Sequence, residues 1–417
     1  MWHVHFKDCY EDVAERARRE AWDYFTAVRN GIFYGLGEGD VDLASVLGEL
    51  RKQNYSGWIV VEDELPPGMG EPLESAWLDR AYMRSLGILK MGGVPIGLIG
   101  AGMMGCIHAR CLSRHVANGE LLAVADLDSE KAERCAEEFG ANICYSEHLA
   151  LVADNSIDAV LVCTPGNTHG DVIEAAARAG KHVFCEKPID WDLAAADRAI
   201  SSMDSAGVKL QIGFQRRFDR AFVEVRQAIE QGKIGRPHLV HLVSRDPVGP
   251  YAGPKAPGDL YFDSTIHDLD MVRFMTGDET ESVMSYGSAM AAREQGVGED
   301  PDTAMTLLRL KGRAIASIDN SRLSPVYDQR AEVFGSAGTI CVANQPTDDG
   351  SADDVLPFFA QRYFDAYVAE LSAFVQCVRN DSETLVTGKD GRAALVLAMA
   401  AFRSYVEGRP VAVSEFD

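Results

Sequence analysis

The sequence lacks the cysteine pairs and long apolar runs that mark secreted and membrane proteins. Its nine cysteines contain no CxxC pair, which argues against both a disulfide framework and a zinc site. No apolar run approaches the roughly 18–20 residues of a membrane span, and the first residues lack the apolar stretch of a secretory signal. Repeats and low-complexity segments are also absent. We therefore expect a soluble cytoplasmic protein with reduced thiols.

Positive charge is scarce. The chain has 40 Lys and Arg against 63 Asp and Glu, which leaves a net charge of −23 without any acidic block. Such an excess repels phosphate groups, so nucleic acid and anionic membranes are not expected as partners. With 417 residues, 47% of them hydrophobic, the chain has enough apolar material for two or three domains.

The chain changes character at Gly92-Gly93, where an apolar strand begins. Before that point, the pattern predicts two strands and two or three helices, with one helix over residues 11–31. These elements are too few to close a barrel or to cover both faces of a parallel sheet. We treat residues 1–92 as a separate N-terminal domain.

The remainder of the chain has two kinds of pattern. In residues 93–213 strands alternate with helices, which is typical of a doubly wound parallel sheet. Residues 214–417 mix strands with helices near 217–231 and 364–379, and predict an α/β domain with a largely antiparallel, open sheet. The fold class is therefore α/β, with three domains at these bounds.

A glycine-rich loop follows the first strand of the second domain. Gly100, Gly102 and Gly105 form a G-x-G-x-x-G pattern that opens a helix. The first glycine makes the turn, the second admits a pyrophosphate and the third lets helix and strand pack closely, while helix N-terminal amides such as those of Met103 and Met104 favour phosphates. This context favours dinucleotide binding over a glycine turn that binds nothing.

Asp126 ends the next strand, about 20 residues after the loop, where a carboxylate accepts hydrogen bonds from ribose hydroxyls. The same charge would repel a 2′-phosphate, so NAD is favoured over NADP. The alternative is that Asp126 only caps the following helix, for which Asp128 is the competing residue.

The segment HVFCEKP places Glu186, Lys187 and Pro188 at the carboxyl end of a strand, where ligands bind in open α/β sheets. We expect Glu186 and Lys187 to line the cofactor site. Lys187 can also donate to a substrate hydroxyl and stabilise a developing alkoxide. The alternative is a solvated lysine at a strand end.

Asp263 and His267 lie four residues apart in DSTIHDLDMVRF, a segment of helical periodicity. At that spacing they share a helix face, so Asp263 can orient the imidazole or tune its charge. Histidine is suited to proton removal near neutral pH. The alternative is Asp263 as an N-cap with His267 packed in the core.

Further candidates come from two loops. The segment from Cys163 to His169 follows a strand and is expected to line the cofactor cleft, although Asn167 and His169 could instead cap the next helix. Arg216 is a candidate donor to substrate hydroxyls, or else part of an interdomain salt bridge. His108, in the helix after the glycine loop, is assigned a structural role.

Together, VPIGLIGAGMMGCIHA, CTPGNTH, HVFCEKP, GFQRRFD and DSTIHDLDMVRF resemble the glucose-fructose oxidoreductase/inositol dehydrogenase family from Val94 to the C-terminus. The resemblance implies a Rossmann domain followed by an α/β domain with an open sheet, usually in a dimer or tetramer. It also implies a catalytic set of Lys187, Asp263 and His267.

Within this family the sequence looks most like the inositol 2-dehydrogenases. That likeness implies that substrate contacts come from Gln215 and Arg216 besides the catalytic set. It also implies cofactor contacts from Thr164, Pro165, Asn167 and His169, together with the glycine loop. The loop from Pro247 to Gly258 is where substrate choice is expected to be made.

Residues 1–92 resemble the C-terminal part of myo-inosose dehydratase, a metal-dependent barrel. The late metal ligands of that family would be His5 and Glu62 here. Because the earlier strands and their ligands are missing, we expect a partial barrel without a complete metal site. The segment is either a functional domain or a fusion remnant.

The resulting hypothesis is NAD-dependent oxidation of myo-inositol to scyllo-inosose in inositol catabolism, by a homo-oligomer and without a metal. His267 takes the hydroxyl proton, Asp263 orients it and Lys187 hydrogen-bonds the reacting oxygen. Alternatives are another sugar or polyol dehydrogenase, an NAD-dependent glycoside hydrolase, a non-catalytic NAD-binding protein and a bifunctional dehydratase–dehydrogenase.

Overall fold

The structure, a computed structural model, describes most of the chain. The described residues are 3–53, 55, 57–62, 75–76, 78–79, 82–83, 86, 93–247, 257–290, 300–344 and 358–417. The chain divides into two compact units, Met1–Gly93 and Val94–Asp417. Among the described helices, none is both long and apolar enough to cross a membrane.

The first unit contains short strands and helices. In chain order they are β1 (His3–Phe6), β2 (Asp8–Cys9), α1 (Glu11–Arg19), α2 (Tyr24–Arg29), β3 (Phe33–Tyr34), α3 (Leu43–Lys52) and β4 (Trp58–Val61). β1 pairs with β4 in parallel and β2 with β3 antiparallel. A small hydrophobic core of this unit includes Phe6, Leu43 and Leu47. A partial barrel remains a prediction for this unit.

The helix expected over residues 11–31 is two helices. Ala21 adopts a left-handed conformation (φ 52°) after α1, which an L-residue rarely holds inside a helix. The Asp23 side chain then accepts a hydrogen bond from the Thr26 amide (2.7 Å) and so caps α2. The apolar period continues across this break, which is why periodicity alone did not predict it.

The second unit begins with alternating strands and helices. They are β5 (Val94–Ile99), α4 (Met103–Arg114), β6 (Gly119–Ala125), α5 (Ser129–Phe139), β7 (Ile143–Tyr145), α6 (His148–Val152), β8 (Ala159–Val162), α7 (His169–Arg178), β9 (His182–Glu186), α8 (Leu193–Ala206) and β10 (Leu210–Gly213). The strands form a parallel sheet in the order β10-β9-β8-β5-β6-β7. The predicted doubly wound sheet is confirmed.

Local signals delimit its helices. The side chain of Asp128 accepts a hydrogen bond from the Lys131 amide and caps α5. Asp192 caps α8 in the same way through the Ala195 amide, 2.8 Å away. Gly140 and Gly207 follow these helices with positive φ, the usual C-terminal stop.

The remaining elements build a mixed sheet and its helical cover. They are α9 (Arg220–Glu230), β11 (Pro237–Pro247), α10 (Ile266–Thr276), β12 (Thr280–Ser288), β13 (Thr303–Leu310), β14 (Ile315–Ser324), β15 (Asp328–Gly335), β16 (Gly338–Val342), α11 (Phe358–Arg362), α12 (Phe364–Asn380), α13 (Gly388–Glu407) and β17 (Val411–Ala412). The sheet order is β16-β15-β11-β14-β13-β12-β17. Only the β11–β14 pair is parallel, so the largely antiparallel sheet is confirmed for the described strands.

Helix α13 was not predicted from the sequence. Thr387 and Asp390 form a capping box at its start, and Gly408 ends it with φ 65°. Its residues are apolar on most sides, since it packs against both α8 and β12, so no single amphipathic stripe stands out. It also reaches the first sheet, because Gly391 lies tightly against Ile212 of β10, while Gly388 lies against Ile200 of α8.

One hydrophobic core extends through both sheets of the second unit. The domain boundary predicted after residue 213 falls inside this unit, between β10 and the second sheet.

Candidate active site

The sequence candidates of the second unit meet at one edge of the parallel sheet. The carboxyl ends of β9, β8, β5 and β6 lie side by side. The segments that follow these strands are, in the same order, Lys187–Pro188, Cys163–His169, Gly100–Gly105 and Asp126. Chain order reverses at β5, which is flanked by β8 and β6, and such a switch point is where open α/β sheets bind ligands.

The glycine loop fits a pyrophosphate. Gly100 has φ +96°, and a Cβ there would lie 2.7 Å from the Cys163 backbone, while a Cβ on Gly105 would lie 1.9 Å from the Gly100 carbonyl oxygen. A Cβ on Gly102 would meet nothing within 4 Å. The first and third glycines are therefore required by the protein's own packing, whereas the second leaves open space at the N-terminus of α4, where a helix attracts phosphate.

The backbone amides at the N-terminus of α4 face the open space beside Gly102. The first helical bond of α4 runs from the Cys106 amide to the Gly102 carbonyl (2.9 Å), so the amides of Met103, Met104 and Gly105 precede it. No side chain caps the helix. This donor set matches an anionic ligand.

Asp126 is held toward the loop rather than used as a helix cap. Its Oδ2 accepts a hydrogen bond from the Ala101 amide (2.8 Å) and its Oδ1 one from the Asp128 amide (2.9 Å). Because Asp128 caps α5, the capping alternative for Asp126 is wrong. The carboxylate is half-buried beside the glycine loop.

The loop after β8 is tied to the loop after β9 through His169. One ring nitrogen lies 2.8 Å from the Thr164 carbonyl oxygen and the other 2.7 Å from that of Pro188. Burial lowers the pKa of His169, although both carbonyls oppose this. Its ring therefore positions the two loops, and neither it nor Asn167 caps α7, which begins after Thr168 without a side-chain cap. Asn167 and Pro165 are exposed.

Lys187 and Asp263 are brought together from 76 positions apart. Lys187 Nζ donates to Asp263 Oδ1 (2.7 Å) and to the Asp263 carbonyl (2.8 Å). The lysine side chain is 14% exposed, so the alternative of a solvated lysine is wrong. The other carboxylate oxygen of Asp263 accepts from Arg322 Nη2 (3.0 Å).

The segment that carries Asp263 is a π-helical turn, Leu260–Thr265, which continues directly into α10. Asp263 thus lies within helical structure, so the N-cap alternative is wrong. π-Helical turns are rare and occur frequently at functional sites.

His267 lies in the first turn of α10, with its ring edge-on to Phe214 (5.9 Å between centroids). Nδ1 is buried without a hydrogen-bond partner among the described residues. Burial lowers the pKa of His267 well below its ordinary value, the positive charges of Lys187 and Arg216 lower it further, and Asp263 opposes them. Asp263 therefore acts on His267 through charge, while its hydrogen bonds go to Lys187 and Arg322.

Arg216 is buried in a salt bridge within the second unit. Its Nη1 donates to Asp268 Oδ1 (2.7 Å), and the guanidinium lies over the Tyr363 ring. Nε is buried without a partner among the described residues. Arg216 and Asp268 both lie in the predicted domain 214–417, so this salt bridge is not the interdomain one considered from the sequence. Gln215 beside Arg216 is also buried.

Glu186 points into a cluster that the sequence did not predict as a site. Its Oε1 lies 2.7 Å from His108 Nε2, and its Oε2 accepts from the Lys187 amide (3.1 Å). Glu370 of α12 completes a group in which the potential metal-ligating atoms lie within 4.8 Å of one another, the one such group in the described part of the chain.

Sequence reasoning missed Arg322 and Asp246. Arg322 joins β14 to the π turn by donating to Asp259, Ser264 and Asp263. Asp246 accepts from the Ser264 hydroxyl (3.4 Å), and burial raises its pKa. Neither belongs to a motif, because only the register of the second sheet brings them to Asp263. Of the loop expected to choose the substrate, residues 248–256 lie outside the described residues.

In the first unit, His5 and Glu62 are hydrogen-bonded to each other, and Lys7 pairs with Glu62 (3.1 Å). Both side chains of the predicted ligand pair are about two-fifths exposed, 41% and 38%. The pairing brings the two residues together, and the two ligands alone do not make a complete metal site.

Comparison with known proteins assigns this architecture to a family. Residues 94–214 match the model of an oxidoreductase family with an NAD-binding Rossmann fold, and residues 222–341 match the GFO/IDH/MocA C-terminal domain. Both matches begin after the first unit.

Three similar proteins each align with 77% of this chain. The chain is 41% identical over 332 residues to a myo-inositol 2-dehydrogenase of Thermotoga maritima, covering 77% of this chain and 98% of that protein. It is 40% identical to an inositol 2-dehydrogenase of Rhizobium meliloti, over 77% of this chain and 99% of that one. A myo-inositol dehydrogenase of Lactobacillus casei, solved in complex with NAD(H) and myo-inositol, superposes with a TM-score of 0.69 at 26% identity, over 77% of this chain and 96% of that one. The chain belongs to the GFO/IDH/MocA family of NAD-binding oxidoreductases.

Proposed function

We propose that this chain is a cytoplasmic NAD-dependent dehydrogenase that oxidises one secondary hydroxyl of myo-inositol to scyllo-inosose in inositol catabolism. The observation that carries the proposal is the 2.7 Å bond between Lys187 Nζ and Asp263, one turn before His267 and at the sheet edge that also carries the glycine loop. The relatives named above, one of them bound to NAD(H) and myo-inositol, support the substrate.

Lys187 is the proposed donor to the reacting hydroxyl. Asp263 holds its ammonium group at a fixed point, and an ammonium there stabilises the oxygen as it loses its proton. The pair is only partly exposed, so water screens this charge less than at the surface.

His267 is the proposed base. Because burial and two nearby cations lower its pKa, the imidazole is neutral at neutral pH and can accept a proton. Nδ1 is buried, so Nε2 is the nitrogen through which the hydroxyl proton is taken. Gln215 and Arg216 are proposed to shape the polyol site, Arg216 through its bond to Asp268.

NAD is proposed to lie along the edge between β9 and β6. The residues that would hold it are Gly100, Gly102, Met103, Met104, Gly105, Asp126, Thr164, Pro165, Asn167, His169, Glu186 and Lys187, with His169 acting by holding Thr164 in place and Glu186 by holding the Lys187 amide. When bound, NAD supplies the nicotinamide ring that accepts the hydride.

NADH absorbance tests the function directly. Purified protein with NAD is offered myo-inositol, scyllo-inositol, glucose and xylose, and the strongest rate is expected with myo-inositol. Preference for another polyol would support dehydrogenase activity but change the proposed substrate. Sugar release from a glycoside without net NADH would favour the hydrolase, and no turnover on any substrate would contradict enzyme function.

We also propose a homo-oligomer, a dimer or tetramer. Phe334, Leu239 and Ile315 are neighbours on three adjacent strands of the second sheet, and they are 47%, 43% and 51% exposed. Contiguous exposed apolar side chains mark protein interfaces. Light scattering coupled to gel filtration is expected to give a multiple of the chain mass, and Phe334→Glu is expected to reduce it.

A further inference from the structure

A buried acid lies behind Lys187 that the proposed reaction does not use. Glu370 of α12 is fully buried, and its neighbours His108 and Glu186 are 0% and 7% exposed. These three residues come from α12, α4 and β9, so three distant segments of the second unit converge on one point.

The hydrogen bonds of this cluster are incomplete. The imidazole of His108 and the amide of Lys187 occupy the two oxygens of Glu186. Both oxygens of Glu370 and Nδ1 of His108 are buried without a hydrogen-bond partner among the described residues. An ionised carboxylate without partners is very costly in the protein interior, and two adjacent carboxylates do not both ionise there.

We propose that Glu186 and Glu370 carry one negative charge between them, that Glu370 holds the proton, and that Glu370 is thereby a positioning residue for Lys187. The catalytic consequence rests on the proposed function, whereas the location of the proton does not.

The surroundings of Glu370 fix its place. The Gln211 side-chain amide donates to the Glu370 carbonyl (2.9 Å), and Tyr367, one turn earlier, lies edge-on to the His108 ring (5.6 Å). α12 is thus held against β10 and α4. Burial, and then the charge of Glu186, raise the pKa of Glu370 well above its ordinary value.

A neutral Glu370 preserves the bond between Glu186 and the Lys187 amide. If Glu370 were ionised, repulsion between the two carboxylates would drive Glu186 away from that amide. The Lys187 backbone would then lose the hydrogen bond that holds it in place. A divalent metal explains the cluster less well, because His108 Nε2 and Glu186 Oε1 are already bonded to each other at 2.7 Å, closer than two ligands on one ion normally lie.

Other ionisable groups near Glu370 must be considered in any pH experiment. They are His108 and Cys111 on α4, Glu186 on β9, Cys163 after β8, and Tyr367 on α12 itself. All of them remain in a variant that changes Glu370 alone, so the difference between variant and parent isolates that acid.

The first test compares melting temperatures of Glu370→Gln and the parent from pH 5 to pH 8.5. A raised pKa means that the acid's contribution to stability is complete below the ordinary glutamate pKa and is lost as pH rises toward the folded value. Glutamine does not titrate, so the melting temperature of E370Q relative to the parent should rise by at least about 3 °C over this range. A flat difference would overturn the proposal.

Asp365→Asn is the matched control. It makes the same acid-to-amide change on the same helix, but Asp365 is exposed. The charge of Asp365 contributes to the pKa of His115, so the melting temperature of D365N relative to the parent should change, but by clearly less than that of E370Q between pH 5 and pH 8.5. If D365N showed the same slope as E370Q, the slope would not report the buried proton and the proposal would fail.

The second test addresses positioning. Ionisation of Glu370 should release Glu186 from the Lys187 amide, so kcat of the parent with myo-inositol should fall at alkaline pH, whereas Glu370→Gln, which stays neutral, should not show this fall. The Kd of NAD, from fluorescence titration, should differ less than about twofold between the two proteins. The same alkaline fall of kcat in E370Q would contradict positioning.

The two tests separate this inference from the proposed function. If no polyol is oxidised, the pH dependence of melting still decides where the proton lies. Elemental analysis of the purified protein adds one outcome: one equivalent of metal per chain that is lost in E370Q would overturn the shared proton and establish a metal site.

Discussion

At the scale of single residues, substitution of Lys187 distinguishes a role in the chemical step from a role in NAD binding. Lys187→Ala removes the proposed donor to the reacting oxygen but leaves the glycine loop and Asp126 in place. We expect kcat to fall by about 10²–10³, with the Kd of NAD nearly unchanged. Steady-state kinetics and NAD titration measure the two quantities.

Lys209→Ala is the control for this substitution. Lys209 precedes β10 at the opposite edge of the sheet and pairs with Asp381 (2.9 Å). Its removal should leave kcat within about twofold of the parent. Equal loss in both variants would contradict a specific role for Lys187.

The lowered pKa of His267 predicts where kcat/KM begins to fall on the acid side of its pH profile. Burial and two cations hold the pKa of His267 well below 6.5, so its imidazole stays neutral, and able to accept a proton, down to below that pH. The profile of kcat/KM for the polyol should therefore be flat from pH 7 to pH 6.5 and fall only at lower pH.

His267→Asn should lower kcat/KM and abolish this limb. The same change at His238, which is exposed on β11, should leave the profile as in the parent. A limb centred at or above pH 7 would show that His267 is not the base or that its charge environment differs.

At the scale of an element, the open space beside Gly102 in the glycine loop leads to a prediction. A Cβ on Gly102 meets open space, and Gly102 has φ −76°, so Gly102→Ala should fold normally. It should still raise the Kd of NAD at least about tenfold, because the methyl group occupies the place of the pyrophosphate. Calorimetric titration and thermal melting check both parts.

Gly105→Ala is the contrasting variant in the same loop. Its Cβ would overlap the Gly100 carbonyl oxygen at 1.9 Å, so it should lower the melting temperature, whereas G102A should not. If G102A bound NAD as tightly as the parent, the pyrophosphate would not lie at this loop.

Arg322 connects β14 to the π-helical turn. Arg322→Gln leaves the carboxylate of Asp259, which is 2% exposed, without its cation, and breaking one half of a buried pair costs about 3 kcal/mol. Urea unfolding should show this loss, and kcat should also fall because Asp263 loses one of its hydrogen bonds.

Arg330→Gln, on β15, which is two strands away from β14 in the sheet, removes a half-exposed arginine that pairs with Asp328. It should cost less than about 1 kcal/mol. If the two arginine variants lost equal stability, the buried connection to Asp259 would not matter.

At the scale of the whole molecule, all proposed site residues lie in the second unit. The alignment with the Thermotoga maritima relative includes 98% of that protein but only 77% of this chain. The aligned part of this chain is therefore about as long as the second unit. A chain that begins at residue 93 is therefore expected to keep kcat/KM for myo-inositol within about twofold and to bind NAD as the full chain does.

Loss of activity in that shortened chain, with a normal melting curve, would show that residues 1–92 contribute to the reaction. The dehydratase-like character of those residues, and the pair of His5 and Glu62, then become the place to look. A partial barrel has too few strands to make a dehydratase site by itself.

Local patterns in the sequence determined the parallel sheet, its glycine loop and the positions of Asp126 and Lys187. Each depends on residues close together in the chain: alternation of strands and helices, glycine at three fixed positions, and charged residues at strand ends. The same local reasoning failed where apolar periodicity continues through a break, as at Ala21, or surrounds a helix, as in α13.

Only the tertiary structure decided which side chains meet. Whether Asp263 bonds to His267 or to Lys187 and Arg322 depends on a π-helical turn and on the register of β14, and the position of Glu370 behind Lys187 depends on how α12 packs beneath the first sheet. Such contacts join segments tens to hundreds of residues apart, and they are selected by packing of the whole core rather than by any short pattern.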